Sequence, residues 1–273
     1  MAKMNGHELA ALALAAIASM AMAPSAMAAS TWDLACSGPG CTSAGVTMNA
    51  MSAWSTTGSG GAFVSAAAVS YGGAYGVTSA TDPGGSPEHS IDNYGSTDGI
   101  LLNFSNSVIL RQILIGWAAY DSDVSVLRYT GAGSGATALS GKTIAGALSN
   151  GWVSVGNYET VAAEAQVDGG GNNSTPTSIN ANSASSSWWL ISAYNSGYGG
   201  SNIGSVGGGS GAYNSGYDFV KLLQIGGDKA PAASVPEPGS LALVAAALLG
   251  GFATRRRMSG LFASGPLRGA APA

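Results

Sequence analysis

Charge is what this chain has least of, since Asp, Glu, Lys and Arg together make up 9% of its 273 residues. Between residues 29 and 234, five basic side chains (Arg111, Arg128, Lys142, Lys221 and Lys229) stand against twelve acidic ones, a net charge of about −7. Holding a phosphate backbone takes clustered Lys and Arg, so no nucleic-acid partner is expected. Cysteine is limited to Cys36 and Cys41. A metal site would want further ligands and a redox couple a Cys-x-x-Cys spacing. The pair brackets Ser37-Gly38-Pro39-Gly40, and in an exported chain a local disulfide across that turn is the expectation. Histidine is nearly missing too: beyond His7 there is only His89, and no Gly-x-Ser-x-Gly elbow joins a strand to a helix. No catalytic residue is therefore assigned, and a secreted hydrolase is the most distant functional reading. Long apolar runs are confined to the two ends, at Leu9 to Ala23 and Leu241 to Ala253.

Those two runs say where the chain goes. Lys3 precedes the first, and Ala26-Met27-Ala28 follows it with the small-x-small pattern that signal peptidase accepts, so residues 1–28 read as a signal peptide. The second run follows Val235-Pro236-Glu237-Pro238 and ends at Arg255, Arg256 and Arg257. Its 13 residues give roughly 20 Å of helix against a hydrocarbon core of about 30 Å, short for a permanent anchor. With the Arg cluster held on the cytoplasmic side, the middle of the chain is outside.

The order Pro-Glu-Pro, short apolar segment, Arg cluster resembles the PEP-CTERM sorting signal of bacterial exosortase substrates. The resemblance implies passage through the inner membrane with transient lodging there, processing by an exosortase near Pro236-Glu237-Pro238, and delivery to the cell surface or extracellular matrix of a Gram-negative bacterium. On this reading 231–240 is a linker bearing the motif and 241–257 a sorting helix with its Arg stop. Residues 258–273 form an extension that such signals usually lack.

Residues 29–230 are long enough for one core. Runs rich in Val, Ile, Leu, Tyr and Trp alternate there with Gly, Ser, Asn and Asp clusters, which predicts an all-β domain, a β-sandwich or jelly roll. The predicted strands are Val46–Trp54, Ala62–Tyr71, Ile100–Phe104, Val108–Trp117, Val124–Tyr129, Trp152–Tyr158, Ser187–Ala193 and Phe219–Ile225. Alternation in Asp123 to Tyr129 puts Val124 and Val126 on one face and Ser125, Leu127 and Tyr129 on the other. Three Gly-, Ser- and Asn-rich segments (131–139, 168–187 and 194–213) are predicted to be loops held only locally. Ala-Tyr-Asn-Ser-Gly-Tyr occurs at 193–198 and again at 212–217, a duplication too short for a solenoid.

Two binding chemistries are written in this middle part. Asp92, Asn93, Asp98, Asp121 and Asp123 flank predicted strands and could converge as oxygen ligands for Ca²⁺; Asp121-Ser122-Asp123 starts like an EF-hand loop but lacks its Gly and distal Glu. Asp and Asn also serve turns through their own backbone, the plainer reading. Trp188, Trp189, Tyr194, Asn195, Tyr198, Tyr213, Asn214 and Tyr217 gather stacking faces and amides suited to sugar rings. Segments 30–34, 87–104, 115–127 and 188–198 also resemble a family of exosortase-dependent surface proteins, a likeness that lends no mechanism. The expectation is a surface or matrix protein with a structural or adhesive role in exopolysaccharide or biofilm, and the alternative a carbohydrate-binding module with calcium as its candidate ion.

Overall fold

The computed structural model describes residues 29–33, 41–82, 87, 89–160, 176–204 and 218–231. The expected signal peptide, the motif and sorting helix, and the C-terminal extension lie outside the described residues. Among the described residues no helix is long and apolar enough to cross a membrane.

The expected all-β domain is the one observed. Its strands are β1 (Ala29–Asp33), β2 (Cys41–Ser43), β3 (Val46–Thr56), β4 (Phe63–Tyr71), β5 (Ala74–Thr78), β6 (Ile91–Asp92), β7 (Asp98–Tyr120), β8 (Asp123–Tyr129), β9 (Trp152–Glu159), β10 (Thr177–Ser178), β11 (Ser186–Ala193), β12 (Asn202–Ile203) and β13 (Asp218–Lys229). Two short helices, α1 (Gly135–Leu139) and α2 (Ile144–Ser149), join β8 to β9.

The 23-residue β7 organises the domain because its two halves pair with different partners. Asp98 to Phe104 lies between β3 and β11, and β11 continues through β8 and β9 to β12. Val108 to Tyr120 pairs instead with β13, which also takes β1 and β6. One strand thus serves two layers, the usual device for turning a sheet corner. The path β3–β4–β5–β13 returns to β7, closing a ring and giving the sandwich a barrel-like side. The two strands predicted at 100–104 and 108–117 are therefore one. Ser105, Asn106 and Ser107 between them are exposed and extended, and the Ser105 hydroxyl accepts the Thr47 N–H at 3.0 Å.

Alternation sorts the apolar residues into two clusters. Ile100, Leu102, Phe104, Val124, Val126, Trp189 and Ile191 meet Leu110, Ile113, Ile115, Val220, Leu222 and Ile225 between the layers. Leu101, Leu127 and Leu190 point the other way, beneath Ala138 and Leu139 of α1, Ile144 and Ala147 of α2, Trp152 and Tyr198. Full burial of each such aliphatic side chain contributes about 1.5–3 kcal/mol.

The three predicted loops are built in more firmly than expected. Segment 131–139 holds α1, capped by the Ser134 hydroxyl accepting from Thr137 N. Within 176–187, buried Asn180 donates through Nδ2 to the Leu110 and Ala184 carbonyls, and its N–H reaches the Tyr158 hydroxyl at 2.8 Å. Segment 194–203 contributes a 3-10 turn (Ser196–Tyr198) and β12. Side-chain amides replace the ladder partners that such small-residue segments lack.

Candidate functional site

Two groups of three aspartates stand out, in each of which one carboxylate oxygen per residue lies within 4.8 Å of the others. The first is Asp82, Asp92 and Asp98. Asp82 closes a tight turn after β5, accepting the Ser79 hydroxyl (2.7 Å) and the Ser79 N–H. Asp92 sits in β6 opposite Phe219, and its Oδ1 accepts Tyr94 N at 3.0 Å. Gly76 makes this approach possible: a Cβ there would overlap the His89 carbonyl, and without one the segment lies close enough for Val77 N to donate to Ser90 O at 3.2 Å. Asp98 opens β7 opposite Ser55. Its side chain is fully buried, its Oδ1 accepts the Ser96 hydroxyl at 3.3 Å, and its Oδ2 has no hydrogen-bond partner. The Ser55 hydroxyl is beside this carboxylate, but its hydrogen bond goes to the Thr56 carbonyl at 3.2 Å. Burial above all, opposed by Ser55 and Ser96 and reinforced by the charge of Asp82, pushes the Asp98 carboxyl up to about 7.

The second group is Asp121, Asp123 and Asp218. Asp218 opens β13, accepts Asp123 N on Oδ1 at 2.9 Å and Asn93 Nδ2 on Oδ2, and returns its own N–H to Asn93 Oδ1 at 3.0 Å. Asn93 also donates to the Tyr194 carbonyl, tying the group to the end of β11. Burial and the neighbouring charges of Asp123 and Asp121 push the Asp218 carboxyl up to about 8, against the hydrogen bonds from Asp123 N and Asn93.

The five oxygen ligands expected to converge are thus divided: Asp92 and Asp98 join Asp82, while Asn93, Asp121 and Asp123 join Asp218. Sequence reasoning missed Asp82 and Asp218. The signals available were an Asp in a Thr-Asp-Pro-Gly turn and an Asp heading an apolar strand, neither pointing to a partner across the fold.

Burial takes two of the expected sugar-facing rings, Trp189 and Tyr198, out of reach. Trp189 is fully buried with Nε1 donating to Ser186 O at 2.9 Å, and Tyr198 is buried with its hydroxyl 3.1 Å from Ser192 Oγ, so neither ring offers a face to a ligand. Burial pushes the Tyr198 phenol well up. Trp188 is half-buried and packs against the helix cluster beside Gly135. Tyr194 is half-buried, and Asn195 spends its amide on Thr97 Oγ1 (2.8 Å) and Gly197 N. Tyr213, Asn214 and Tyr217 lie outside the described residues.

Other aromatics are open to solvent. Tyr94 (46% exposed) and Tyr120 (55%) pack near Phe219, with ring centroids 6.3 and 5.6 Å away; Tyr94 follows Asn93 and Tyr120 precedes Asp121, which places both beside the second group. Tyr71 is also exposed, stacks on His89, and shares the Lys221 ammonium with Trp117 at 4.4 Å from each ring centroid. His89 Nδ1 is 3.1 Å from Thr78 Oγ1. Cys41 is disulfide-bonded, and Cys36 lies outside the described residues.

The remaining expected residues, Val235 to Pro238 and Arg255 to Arg257, also lie outside them, and there comparison with known proteins speaks. No curated protein and no solved structure matches the chain. One family profile does match, the PEP-CTERM protein-sorting motif, over residues 234–257. The chain carries this motif, and it is on that ground a PEP-CTERM sorting-signal protein, exported and targeted to exosortase for delivery to the cell surface.

Proposed function

We propose that the protein is a structural or adhesive component of the extracellular polymeric matrix, working by contact with exopolysaccharide and not by catalysis. The sorting motif at 234–257 carries this reading, because a chain delivered by that signal does its work outside the cell. The low charge supports it: hydroxyls and amides cover most of what would otherwise be charged surface, and those groups hydrate as sugars do. Burial of Asp98 and Asp218 leaves the two carboxyls of raised pKa without access to a scissile bond. Replacing Pro236, Glu237 and Pro238 together by Ala is expected to trap uncleaved protein in the inner-membrane fraction. Normal delivery of that variant to the surface would overturn the reading.

A second reading, carbohydrate binding, is favoured by one observation: Tyr94 and Tyr120 present half-open rings on either side of Phe219, beside the amide and carboxylates of Asn93 and Asp121. Aromatic faces with adjacent polar groups suit a sugar ring. Co-sedimentation with native exopolysaccharide tests it. The full chain is expected in the pellet and the Tyr94→Ala, Tyr120→Ala double variant in the supernatant; equal retention of the two rejects a site at these tyrosines.

A further inference from the structure

We propose that Asp82, Asp92 and Asp98 bind a calcium ion that fastens the Ser79–Asp82 turn and β6 to the start of β7. Spacing is the first argument. Oxygens sharing one Ca²⁺ at about 2.4 Å lie no more than about 4.8 Å apart, and the three carboxylates already meet that limit. The second is Asp98 Oδ2. It is an acceptor on the fully buried side chain that Asp98 brings to this group, and among the described residues no hydrogen bond reaches it. A buried polar atom without a partner asks for an explanation, and a cation between the carboxylates supplies one. Donor chemistry names the ion class: three carboxylates without His or Cys make a hard, all-oxygen set that favours Ca²⁺ over zinc or copper. Charge points the same way, since three carboxylates meet here and Arg111 is paired elsewhere, with Asp228.

The second aspartate group serves as the contrast. There the buried Asp218 has both oxygens filled, by Asp123 N and Asn93 Nδ2, so its carboxyl is satisfied without an ion. The proposed site is accordingly structural. It joins elements separated in the chain (the Ser79–Asp82 turn, β6 and the first residue of β7) at a place where Asp92 also pairs with β13 through Phe219. It stands independently of polymer binding: loss of calcium binding leaves the sedimentation result above untouched, and the reverse also holds.

The test uses the full chain stripped with EDTA and titrated with CaCl2 alone, read by thermal unfolding and by luminescence of Tb³⁺ as a calcium substitute. Calcium at a hundredfold excess over its Kd is expected to raise Tm by roughly 5–10 °C. Asp82→Asn, at a half-buried turn where folding tolerates the change, is expected to weaken binding at least tenfold, and Asp98→Asn to do the same; Asp121→Asn retains wild-type affinity. No rise in Tm for the wild type, a rise unaltered in Asp82→Asn, or a rise lost in Asp121→Asn while Asp82→Asn keeps it would each overturn the proposal.

Discussion

Asp98 and Asp218 hold matching positions, each the first residue of a long central strand, each buried, each beside two further aspartates, and each with its carboxyl pushed up by burial. They differ in what meets their oxygens. Asp218 is enclosed by a backbone N–H from β8 and an amide that grips it reciprocally, whereas Asp98 receives one long bond from Ser96. Sequence composition around the two is alike, so the difference arises from which loop happens to cross each strand end. The Asp218 carboxyl is made structural by its amide donors, and at Asp98, which lacks them, the proposed cation would take their place.

The largest expected effect falls where the amide donors are. Asp218→Ala leaves Asp123 N without its acceptor and takes one of two acceptors from Asn93 Nδ2, which keeps the Tyr194 carbonyl, and is expected to cost about 2–4 kcal/mol, at roughly 1–3 kcal/mol for an unsatisfied buried group. Asp98→Ala, measured in EDTA, gives up the Ser96 and Ser55 hydroxyls in place of a backbone N–H and an amide, and is expected to cost at least about 1 kcal/mol less. Urea denaturation of both variants decides; equal losses, or a larger one at Asp98, would break the comparison.

A change of pH acts next. The folded pKa of Asp218, about 8, lies above the ordinary carboxyl value near 3.9, so the folded state keeps a proton that the unfolded chain has released. Stability therefore falls as pH rises from about 4, and the cost is complete above about pH 8. Among the described residues the groups that face this carboxyl are Asp123, Asp121 and Asn93, with no Lys or Arg there forming an ion pair with it. For Asp218 this amounts to about 4 kcal/mol between pH 5 and pH 9 in EDTA, and Asp98, pushed up to about 7, adds a fall of the same sign below pH 7. Asp218→Asn, which mimics the protonated form, is expected to remove the part of the slope that persists between pH 7 and pH 8, and a slope unchanged there assigns the effect elsewhere.

These groups also mark how far the sequence could be read. Alternation at Asp123 to Tyr129 gave both faces correctly, because a period of two fixes side-chain direction whatever the neighbours do. Alternation does not say what covers the second face. Here α1 and α2 cover it, built from a Gly-, Ala- and Ser-rich stretch that resembles loop in composition, and so the adjacent Trp188 and Trp189 face two interiors and not one interior and water. The acid groups were half legible for a related reason. Asp92, Asp98, Asp121 and Asp123 sit close together in sequence beside strands, while Asp218 comes from a strand 95 residues beyond Asp123 and its role is set only by β7–β13 pairing. The sorting signal was fully legible because it is local, an ordered run of residues that needs no tertiary partner.

The smallest effect on stability is expected at the tyrosines on the Asp218 side, and its smallness is informative. Tyr94 and Tyr120 are about half exposed, and each ring lies near the buried Phe219. Tyr120 also has a φ of +61°, a left-handed conformation that costs a non-glycine residue roughly 1–2 kcal/mol. Replacing Tyr120 by Ala leaves that backbone cost in place, and at either position the aromatic contact with Phe219 that is given up is worth about 0.5–1.5 kcal/mol when complete. Each single Tyr→Ala change is therefore expected to lower stability by less than about 1 kcal/mol in urea denaturation. A cost of several kcal/mol would mean that the rings hold the Asp218 end of the domain together, and their exposure would then be a by-product of packing and not a face kept open for polymer.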